Sequence, residues 1–197
     1  MTRSRTDERI PVSITHLSTP ELEAGLAAIL DSPSDVGLLR LIVQRPAVGE
    51  RRLVDSGMLC VNDGLVGDNW KTRGSRMTAD GTAHPEMQLN IMNARVAALV
   101  AQDQSRWALA GDQLYVDLNL SGENLPPGTR LEIGTAVVEV TAIPHRGCAK
   151  FVERFGVDAM RFVNSKEGRR LNLRGINARV INGGTVRVDD EIVVRRV

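Results

Sequence analysis

Short segments in which apolar and polar residues alternate dominate this chain, and few segments have helical spacing. Strands are predicted for VGLLRLIVQRP and RRLVDSGMLCV, which are rich in branched apolar residues and are separated by Arg45-Pro46 and Gly49. DQLYVDLNL alternates as a strand does, and MQLNIMNARVAALVA predicts a strand end that leads into a helix. Many short strands with few helices are typical of an antiparallel barrel or sandwich.

Two segments near the C-terminal end share a pattern that predicts β-hairpins. PPGTRLEIGTAVVEVTAI turns at Gly134, and GGTVRVDDEIVVRRV turns at Asp189-Asp190. Between them, CAKFVERFGVDAMRFVNSKEG has apolar residues at helical spacing that Gly156 interrupts, which predicts two short helices.

The N-terminal half predicts one helix and one long irregular segment. STPELEAGLAAILDSPS should form a single helix that Thr19 caps and Pro33 ends. From Asn62 to Pro85 there is no periodicity, and so long a loop in a compact domain indicates a functional or mobile segment. The expected fold is therefore mainly β (α+β), a closed or partly open antiparallel β-barrel with a few short flanking helices.

Composition and charge exclude several classes of protein. The chain has 197 residues, 42% of them hydrophobic and 25% charged, which is ordinary for one globular domain. A formal net charge of +1 gives no overall field for nucleic acid, so no nucleic-acid partner is expected. No apolar run is long enough to span a membrane, and MTRSRTDERIPVS lacks the apolar core of a signal peptide, so a cytoplasmic protein without a membrane partner is expected.

Of the two cysteines, Cys148 has the surroundings of a reactive thiol. It falls where an apolar strand gives way to a helix, and His145, Arg146 and Lys150 lie beside it in the sequence. A helix start and nearby positive charge stabilise a thiolate, which is a nucleophile and a soft metal ligand. The alternative, a small buried apolar side chain, is equally compatible with the sequence. Cys60 has apolar neighbours and is expected to pack in the core.

Three further segments offer polar side chains for a ligand, and each has an ordinary structural alternative. An anion could be held by the loop GLVGDNWKTRGSR, although it lacks the GxxxxGK[ST] phosphate-loop pattern and could be a solvated charged loop. The segment VDLNLSGENLPPG could hydrogen-bond a heterocycle, although a turn is favoured there. The segment SKEGRRLNLRGINARV could contact phosphate or be exposed strand. The candidate binding residues are Asp68, Asn69, Lys71, Arg73, Arg76, Asn119, Ser121, Asn124, Arg174 and Asn177.

Taken together, these motifs resemble the MOSC domain, the family named after the C-terminal domain of molybdenum cofactor sulfurase. The resemblance extends from about Arg45 to Val194 and is carried by RPAVGER, GLVGDNW, NIMNARV, GDQLYVDLNLSGENLPPGTRLEIG, VTAIPHRGCAKFVERFG and RGINARVINGGTVRV. It implies a MOSC-type barrel over residues 45–195. Residues 1–44 are then an N-terminal extension that contributes one helix and one strand to the core.

The resemblance also implies a function for Cys148. It matches the family's cysteine, which is proposed to carry sulfur as a persulfide or to bind the molybdenum of the molybdenum cofactor, molybdopterin. As a sulfur carrier, the protein would receive sulfur from a separate cysteine desulfurase that holds pyridoxal phosphate, and would pass it to a molybdenum enzyme or cofactor. The alternatives are a molybdenum-cofactor oxidoreductase with Cys148 as metal ligand, and a non-catalytic module that binds an anionic ligand.

Overall fold

The computed structural model describes residues 15–196, and strands dominate this part of the chain. The strands are β1 Val36–Gln44, β2 Arg52–Val54, β3 Ser56–Cys60, β4 Gly64–Leu65, β5 Leu89–Asn93, β6 Leu114–Asp117, β7 Arg130–Ile133, β8 Ala136–Pro144, β9 Ile176–Asn182, β10 Gly184–Arg187 and β11 Glu191–Arg195. The helices are α1 Thr19–Ala24, α2 Leu26–Leu30, α3 Trp70–Arg73, α4 Ala94–Ala101, α5 Ala149–Asn164 and α6 Lys166–Arg170, with short 3-10 helices at Pro85–Met87 and Gln104–Ala110. In the described residues no helix has the length and apolar character to cross a bilayer.

Within residues 15–196, seven strands close into a barrel, as expected. Their order around the barrel is β1-β11-β7-β8-β9-β5-β6, and β6 pairs again with β1. Alternate side chains from these strands fill the interior, among them Leu39, Ile91, Leu131 and Val138. A closed sheet leaves no unpaired edge, and its alternation places every second residue in a shared apolar core.

A second apolar core lies between the outside of the barrel and the helices. Met92 and Tyr115 from the barrel wall pack there with Phe151 and Phe155 of α5 and with residues of α4. All five residues of β5 are buried because one face points into the barrel and the other is covered by helices. This outer core fixes α5 against the barrel, and Cys148 lies at the start of α5.

One strand pair departs from the expected antiparallel arrangement. β5 and β6 are parallel, with Ile91 opposite Leu114. Parallel neighbours need a crossover, and the chain between them supplies α4 and the 3-10 helix Gln104–Ala110. The other strand pairs of the described residues are antiparallel.

The expected C-terminal hairpin is wrong, whereas the earlier one is confirmed. β7 and β8 pair around Gly134, with Ile133 opposite Ala136. β10 instead pairs with β3 in a small sheet of order β10-β3-β4, while β11 belongs to the barrel. The Asp189-Asp190 turn bonds to β1, since Asp189 N donates to Leu39 O at 2.7 Å and Leu39 N donates to Asp190 O at 2.9 Å. These bonds direct the chain from one sheet to the other.

Two other segments are divided where the sequence predicts one element. RRLVDSGMLCV breaks at Asp55, so β2 pairs with the end of β1 next to the barrel, whereas β3 joins the small sheet. The N-terminal helix breaks at Gly25, where an added Cβ would lie 2.6 Å from Leu99. Ser18, not Thr19, is the N-cap residue of α1, and the Glu21 carboxylate accepts hydrogen bonds from the Ser18 amide and hydroxyl. The segment expected to be a loop from Asn62 to Pro85 contains β4 and α3.

The helical break at Gly156 is confirmed. Its φ of 89° and ψ of 165° interrupt α5 in a region that only glycine adopts without strain. A Cβ there would lie 2.8 Å from Nδ1 of His16. The break turns the two halves of α5 so that each keeps its apolar side on the outer core.

We predict that Gly156→Ala lowers the free energy of unfolding by about 2 kcal/mol, because the alanine is held at a positive φ. Urea denaturation of the variant and the wild type measures the difference. Gly122→Ala is the matched control, since its Cβ would have no atom nearer than 3.9 Å and its φ is not positive. Equal losses in the two variants would contradict the prediction.

Candidate functional site

Cys148 lies at the junction between β8 and α5, as the sequence predicts. It is the N-cap residue of α5, its backbone is extended, and its side chain is exposed. Gly147 is fixed by Asn164, whose Oδ1 accepts from the Gly147 amide at 3.1 Å and whose Nδ2 donates to the Gly147 carbonyl at 3.3 Å. The free amides of the first turn of α5 add positive potential at Cys148, because this effect is confined to the first turn and the break at Gly156 lies beyond it.

A cavity of about 260 Å³ opens beside Cys148, and cations dominate its polar lining. We call it the Cys148 cavity. No carboxylate lines it, and Asn69, Asn90 and His145 supply its other polar side chains. Its six cationic side chains are Arg45, Arg51, Arg73, Lys150, Arg154 and Arg174. Such a lining favours an anionic ligand or a negatively charged state of the cysteine.

Two buried ion pairs hold the innermost arginines. Arg45 and Asp68 form a two-pronged pair, with Nε to Oδ2 at 2.7 Å and Nη2 to Oδ1 at 2.9 Å. Asp112, which is fully buried, accepts from Nη1 of Arg174 through both carboxylate oxygens, at 3.0 and 2.7 Å. Burial raises the pKa of Asp112, and the Arg174 guanidinium opposes that rise. The two carboxylates orient these arginines and neutralise them.

The remaining cations have no carboxylate partner within residues 15–196. Arg51 Nε donates to the Ala108 carbonyl at 3.1 Å and Arg154 Nη1 donates to the Leu109 carbonyl at 2.6 Å. Burial lowers the pKa of Arg51, and the charges of Arg154 and Arg45 lower it further; burial and Arg45 do the same to Arg73. Arg51, Arg73, Lys150 and Arg154 therefore form an excess of positive charge that an anion would relieve.

Three buried polar atoms in residues that line this cavity have no hydrogen-bond partner among the described residues. They are Oδ1 of Asn69, Nε of Arg174 and Nδ1 of His145. Buried polar atoms are nearly always paired in folded proteins. Two of the three belong to residues predicted to contact a ligand, Asn69 and Arg174. The cavity thus offers both charge and unused hydrogen-bonding groups.

His145 needs a correction, because its environment does not favour a positive charge. Its side chain is only 14% exposed, and Nδ1 lies 3.4 Å from Oδ1 of Asp112. Burial lowers the pKa of His145 well below the ordinary 6.5, and the charges of Arg174 and Arg45 lower it further. The neutral imidazole is a wall of the cavity and adds no charge to stabilise a Cys148 thiolate.

Other predicted site residues lie elsewhere. Asn119, Ser121 and Asn124 form a turn: Oδ1 of Asn119 accepts from the Ser121 amide at 3.0 Å, and Oγ of Ser121 accepts from the Asn124 amide at 3.2 Å. None of them lines the Cys148 cavity, so the alternative that the sequence favoured is the better one. Lys71 pairs with Asp63 at the surface, and Arg76 is exposed and outside the cavity.

A neighbouring cavity receives two more of the predicted residues. This β8–β9 cavity of about 330 Å³ is lined by parts of β8 and β9 and of the segment 168–175, and includes Arg146 and Asn177. Arg146 therefore does not line the Cys148 cavity, whereas Lys150 does. His145 and Arg174 line both cavities.

Several site residues were not predicted from the sequence. Arg45 and Arg51 belong to the motif RPAVGERR, and Arg154 follows Lys150 by one helical turn, which is a signal that could have been used. Asp112 and Asn90 carry no sequence signal, because the fold alone brings them to Arg174 and Arg45.

Cys60 also differs from expectation. It is half-buried at the end of β3, and its Sγ lies 3.4 Å from Oδ2 of Asp63. Asp63 in turn accepts from Lys71 Nζ at 2.7 Å, and this bond lowers the pKa of Asp63. Cys60 thus has a polar surface contact in addition to its apolar neighbours.

Comparison with known proteins identifies the family. The MOSC domain model matches residues 80–193, which is more than half of the chain. The chain therefore belongs to the MOSC domain family. A search of curated proteins gave no match.

Solved structures show the same fold at low sequence identity. The YuaD protein from Bacillus subtilis is 16% identical with a TM-score of 0.60, and the match covers 81% of this chain and 95% of YuaD. YiiM from Escherichia coli is 20% identical with a TM-score of 0.52, covering 81% of this chain and 71% of that one. YiiM from Geobacillus stearothermophilus is 11% identical with a TM-score of 0.50, covering 83% and 74%. At these identities the likeness establishes the barrel architecture alone.

The neutral state of His145 predicts a pH-dependent stability. Its pKa is depressed in the folded protein, so the unfolded chain takes up a proton that the folded one does not as the pH falls through 6.5, and stability decreases. Between about pH 7.5 and about pH 5.5, the loss should approach about 1.4 kcal/mol per pH unit at the acidic end. Urea denaturation of the wild type and His145→Gln across this range should show that the variant lacks this component. His84→Gln, the control, should retain it; parallel curves for wild type and His145→Gln would contradict the assignment.

The charge excess predicts selective alkylation of Cys148. The positive charge should raise the rate at which Cys148 reacts with anionic iodoacetate relative to its rate with neutral iodoacetamide. Lys150→Glu should lower this iodoacetate-to-iodoacetamide rate ratio by about threefold or more, which is the size expected from the Coulomb energy of charges several ångströms apart in water. Peptide mass spectrometry separates the reaction of Cys148 from that of Cys60. Lys166→Glu, on α6 and outside the cavity, is the matched control. If the rate ratio is unchanged in Lys150→Glu, or falls equally in both variants, the electrostatic field at Cys148 does not come from the cations of its cavity.

Proposed function

We propose that this MOSC protein is a sulfur carrier that uses Cys148 as the persulfide-bearing residue. The observation that supports this is the exposed Cys148 thiol at the edge of a cavity whose cations exceed its carboxylates. Positive charge favours the thiolate, which is the nucleophilic form of cysteine. We place this chemistry in a reducing compartment such as the cytoplasm, where thiols persist.

The loading step is a thiol–persulfide exchange. The Cys148 thiolate attacks the outer sulfur of a persulfide on a donor cysteine, so that a new S–S bond forms at Cys148 Sγ while the donor's S–S bond breaks. The donor cysteine leaves as a thiolate, and the persulfide proton stays with the transferred sulfur. No net oxidation occurs, because the sulfur moves at an unchanged oxidation level. Lys150 and Arg154 stabilise the negative charge on the attacking sulfur and on the departing one.

The donor and the acceptor are separate molecules in this proposal. The donor is a cysteine desulfurase that carries its own pyridoxal phosphate. The acceptor is a molybdenum enzyme or its cofactor. A nucleophilic acceptor takes the outer sulfur directly and releases the Cys148 thiolate. Delivery as sulfide needs two electrons, and a second thiol supplies them by forming a disulfide with Cys148.

The residues present fit an anionic cofactor such as molybdopterin better than they fit a bare metal ion. Arg51, Arg73 and Arg154 would bind its phosphate, and Oδ1 of Asn69 would accept from its ring, which is consistent with the unpaired state of that atom. Among the described residues, no group of three or more His, Cys, Asp or Glu side chains could hold a metal. Cys148 is the one candidate ligand in the cavity for molybdenum carried by the cofactor. The bound cofactor would supply redox chemistry at its metal.

This fit keeps a second candidate, an oxidoreductase in which Cys148 binds the molybdenum of a resident cofactor. Metal analysis of protein produced in a host that makes the cofactor separates the two functions. Stoichiometric molybdenum that Cys148→Ser loses supports the oxidoreductase, and sulfur loading without molybdenum supports the carrier. Unaltered binding of an anionic ligand in Cys148→Ser, with neither activity, would support a non-catalytic binding module.

The carrier function predicts that incubation with a cysteine desulfurase and cysteine adds one reducible sulfur atom to the protein. Intact-mass measurement before and after dithiothreitol detects it. Cys148→Ser should gain no sulfur, because it lacks the nucleophile, and Cys60→Ser, the matched control, should load as the wild type does. Loading of Cys148→Ser to the wild-type level, or none in the wild type with several desulfurases, would contradict the proposal.

A further inference from the structure

The β8–β9 cavity is the larger of the two cavities and has a different chemical character. Its volume of about 330 Å³ is at the lower end of the range for small-molecule sites. Much of its wall is apolar, formed by Leu125, Val140, Ile143, Val163 and Ile176. A hydrocarbon or aromatic body of one or two rings would lose its contact with water there.

The polar lining of this cavity is cationic or neutral. No carboxylate lines it, and its charged residues are Arg146, Arg169 and Arg174. Asp112 neutralises Arg174, but no carboxylate within residues 15–196 pairs with Arg146 or Arg169. Arg169 donates from Nε to the Asn164 carbonyl at 2.7 Å, which leaves its terminal nitrogens without a bond to the described residues. An anion would therefore be attracted to this cavity as well.

A buried donor lies in the wall that this cavity shares with the Cys148 cavity. Arg174 is 6% exposed, and its Nε has no hydrogen-bond partner although Nη1 and Nη2 are bound to Asp112 and to the Ala110 carbonyl. Its guanidinium carbon lies 5.1 Å from the Phe151 ring centre, within the range of a cation–π contact. A buried guanidinium NH without an acceptor is costly, and a ligand oxygen in either of the two cavities that Arg174 lines would satisfy it.

We propose that the β8–β9 cavity is a second ligand site, which takes a small aromatic carboxylic acid. The ring lies against the apolar wall, and the carboxylate is bound by Arg146 and Arg169. The site is separate from the Cys148 cavity, and the two share only the wall formed by His145 and Arg174. The proposal does not depend on sulfur transfer.

The test uses 1-naphthoate as probe, with the uncharged 1-naphthamide and inorganic phosphate as comparisons, in calorimetric titrations of the full chain. Naphthoate should bind, naphthamide should bind about tenfold more weakly, and phosphate should not compete, because the site requires a ring and a charge together. Equal affinity for naphthoate and naphthamide, or displacement of naphthoate by phosphate, would overturn the proposal.

Variants locate the bound probe. Gly122→Phe and Ala142→Trp fill the cavity from two exposed lining positions and should abolish naphthoate binding while thermal unfolding shows a folded protein. Arg146→Ala and Arg169→Ala should each weaken naphthoate about threefold without changing naphthamide binding, and Arg130→Ala, on β7, should change neither. Cys148→Ser and Arg73→Ala alter only the other cavity and should leave binding intact. Naphthoate binding that survives both filling variants, or that is lost in Cys148→Ser, would show that the site is wrong.

Discussion

An excess of positive charge at one end of the barrel is the constraint on which the candidate site depends. Two carboxylates, Asp68 and Asp112, are fully buried and each is matched to one arginine. They orient Arg45 and Arg174 but leave Arg51, Arg73, Lys150 and Arg154 unmatched by any described carboxylate at the cavity. A pair that is buried and hydrogen-bonded contributes more to positioning than to stability, because desolvation offsets much of its attraction. The cavity therefore keeps a net positive potential, which a bound anion would neutralise.

The barrel makes this arrangement by bringing distant segments to one place. The segment after β1 supplies Arg45 and Arg51, α3 and the residue before it supply Arg73 and Asn69, and α5 supplies Lys150 and Arg154. The outer core, in which Phe151 and Phe155 are buried, fixes the first half of α5. As a result, Cys148 has a rigid scaffold behind it although its side chain is exposed.

The sequence predicted those parts of the structure that depend on local pattern. The strand-to-helix junction at Cys148, the break at Gly156 and the hairpin at Gly134 follow from apolar periodicity and from glycine conformations. The C-terminal hairpin could not be predicted in the same way, because the partners of β10 and β11 are chosen by tertiary hydrogen bonds from β3 and β1. The parallel pair β5–β6 was missed for the same reason. The alternation of apolar and polar residues in a strand does not show whether it runs parallel or antiparallel to its neighbour.

The site residues, too, were predicted where local sequence determines their position and missed where the tertiary fold does. Of the three cations predicted from their closeness to Cys148 in sequence, Lys150 lines its cavity and Arg146 lines the other one. His145 is neutral because burial, and then the charges of Arg174 and Arg45, lower its pKa. Arg51 and Asp112 were not found, because nothing in their local sequence shows which cavity they reach. Three polar residues were predicted to bind a ligand but form hydrogen bonds with one another within a turn: Asn119, Ser121 and Asn124.

The pairing of β1 with β11 has a consequence for biosynthesis. Val36 lies opposite Val193, so the seam of the barrel joins the beginning of the described chain to its end. Until β11 has been synthesised and has paired with both of them, β1 and β7 present unpaired edges, and such edges can join those of other nascent chains. Loop-closure entropy also makes a contact across so much intervening chain slow to form. Shielding of these two edges by chaperones would thus govern how much of the protein reaches the closed barrel.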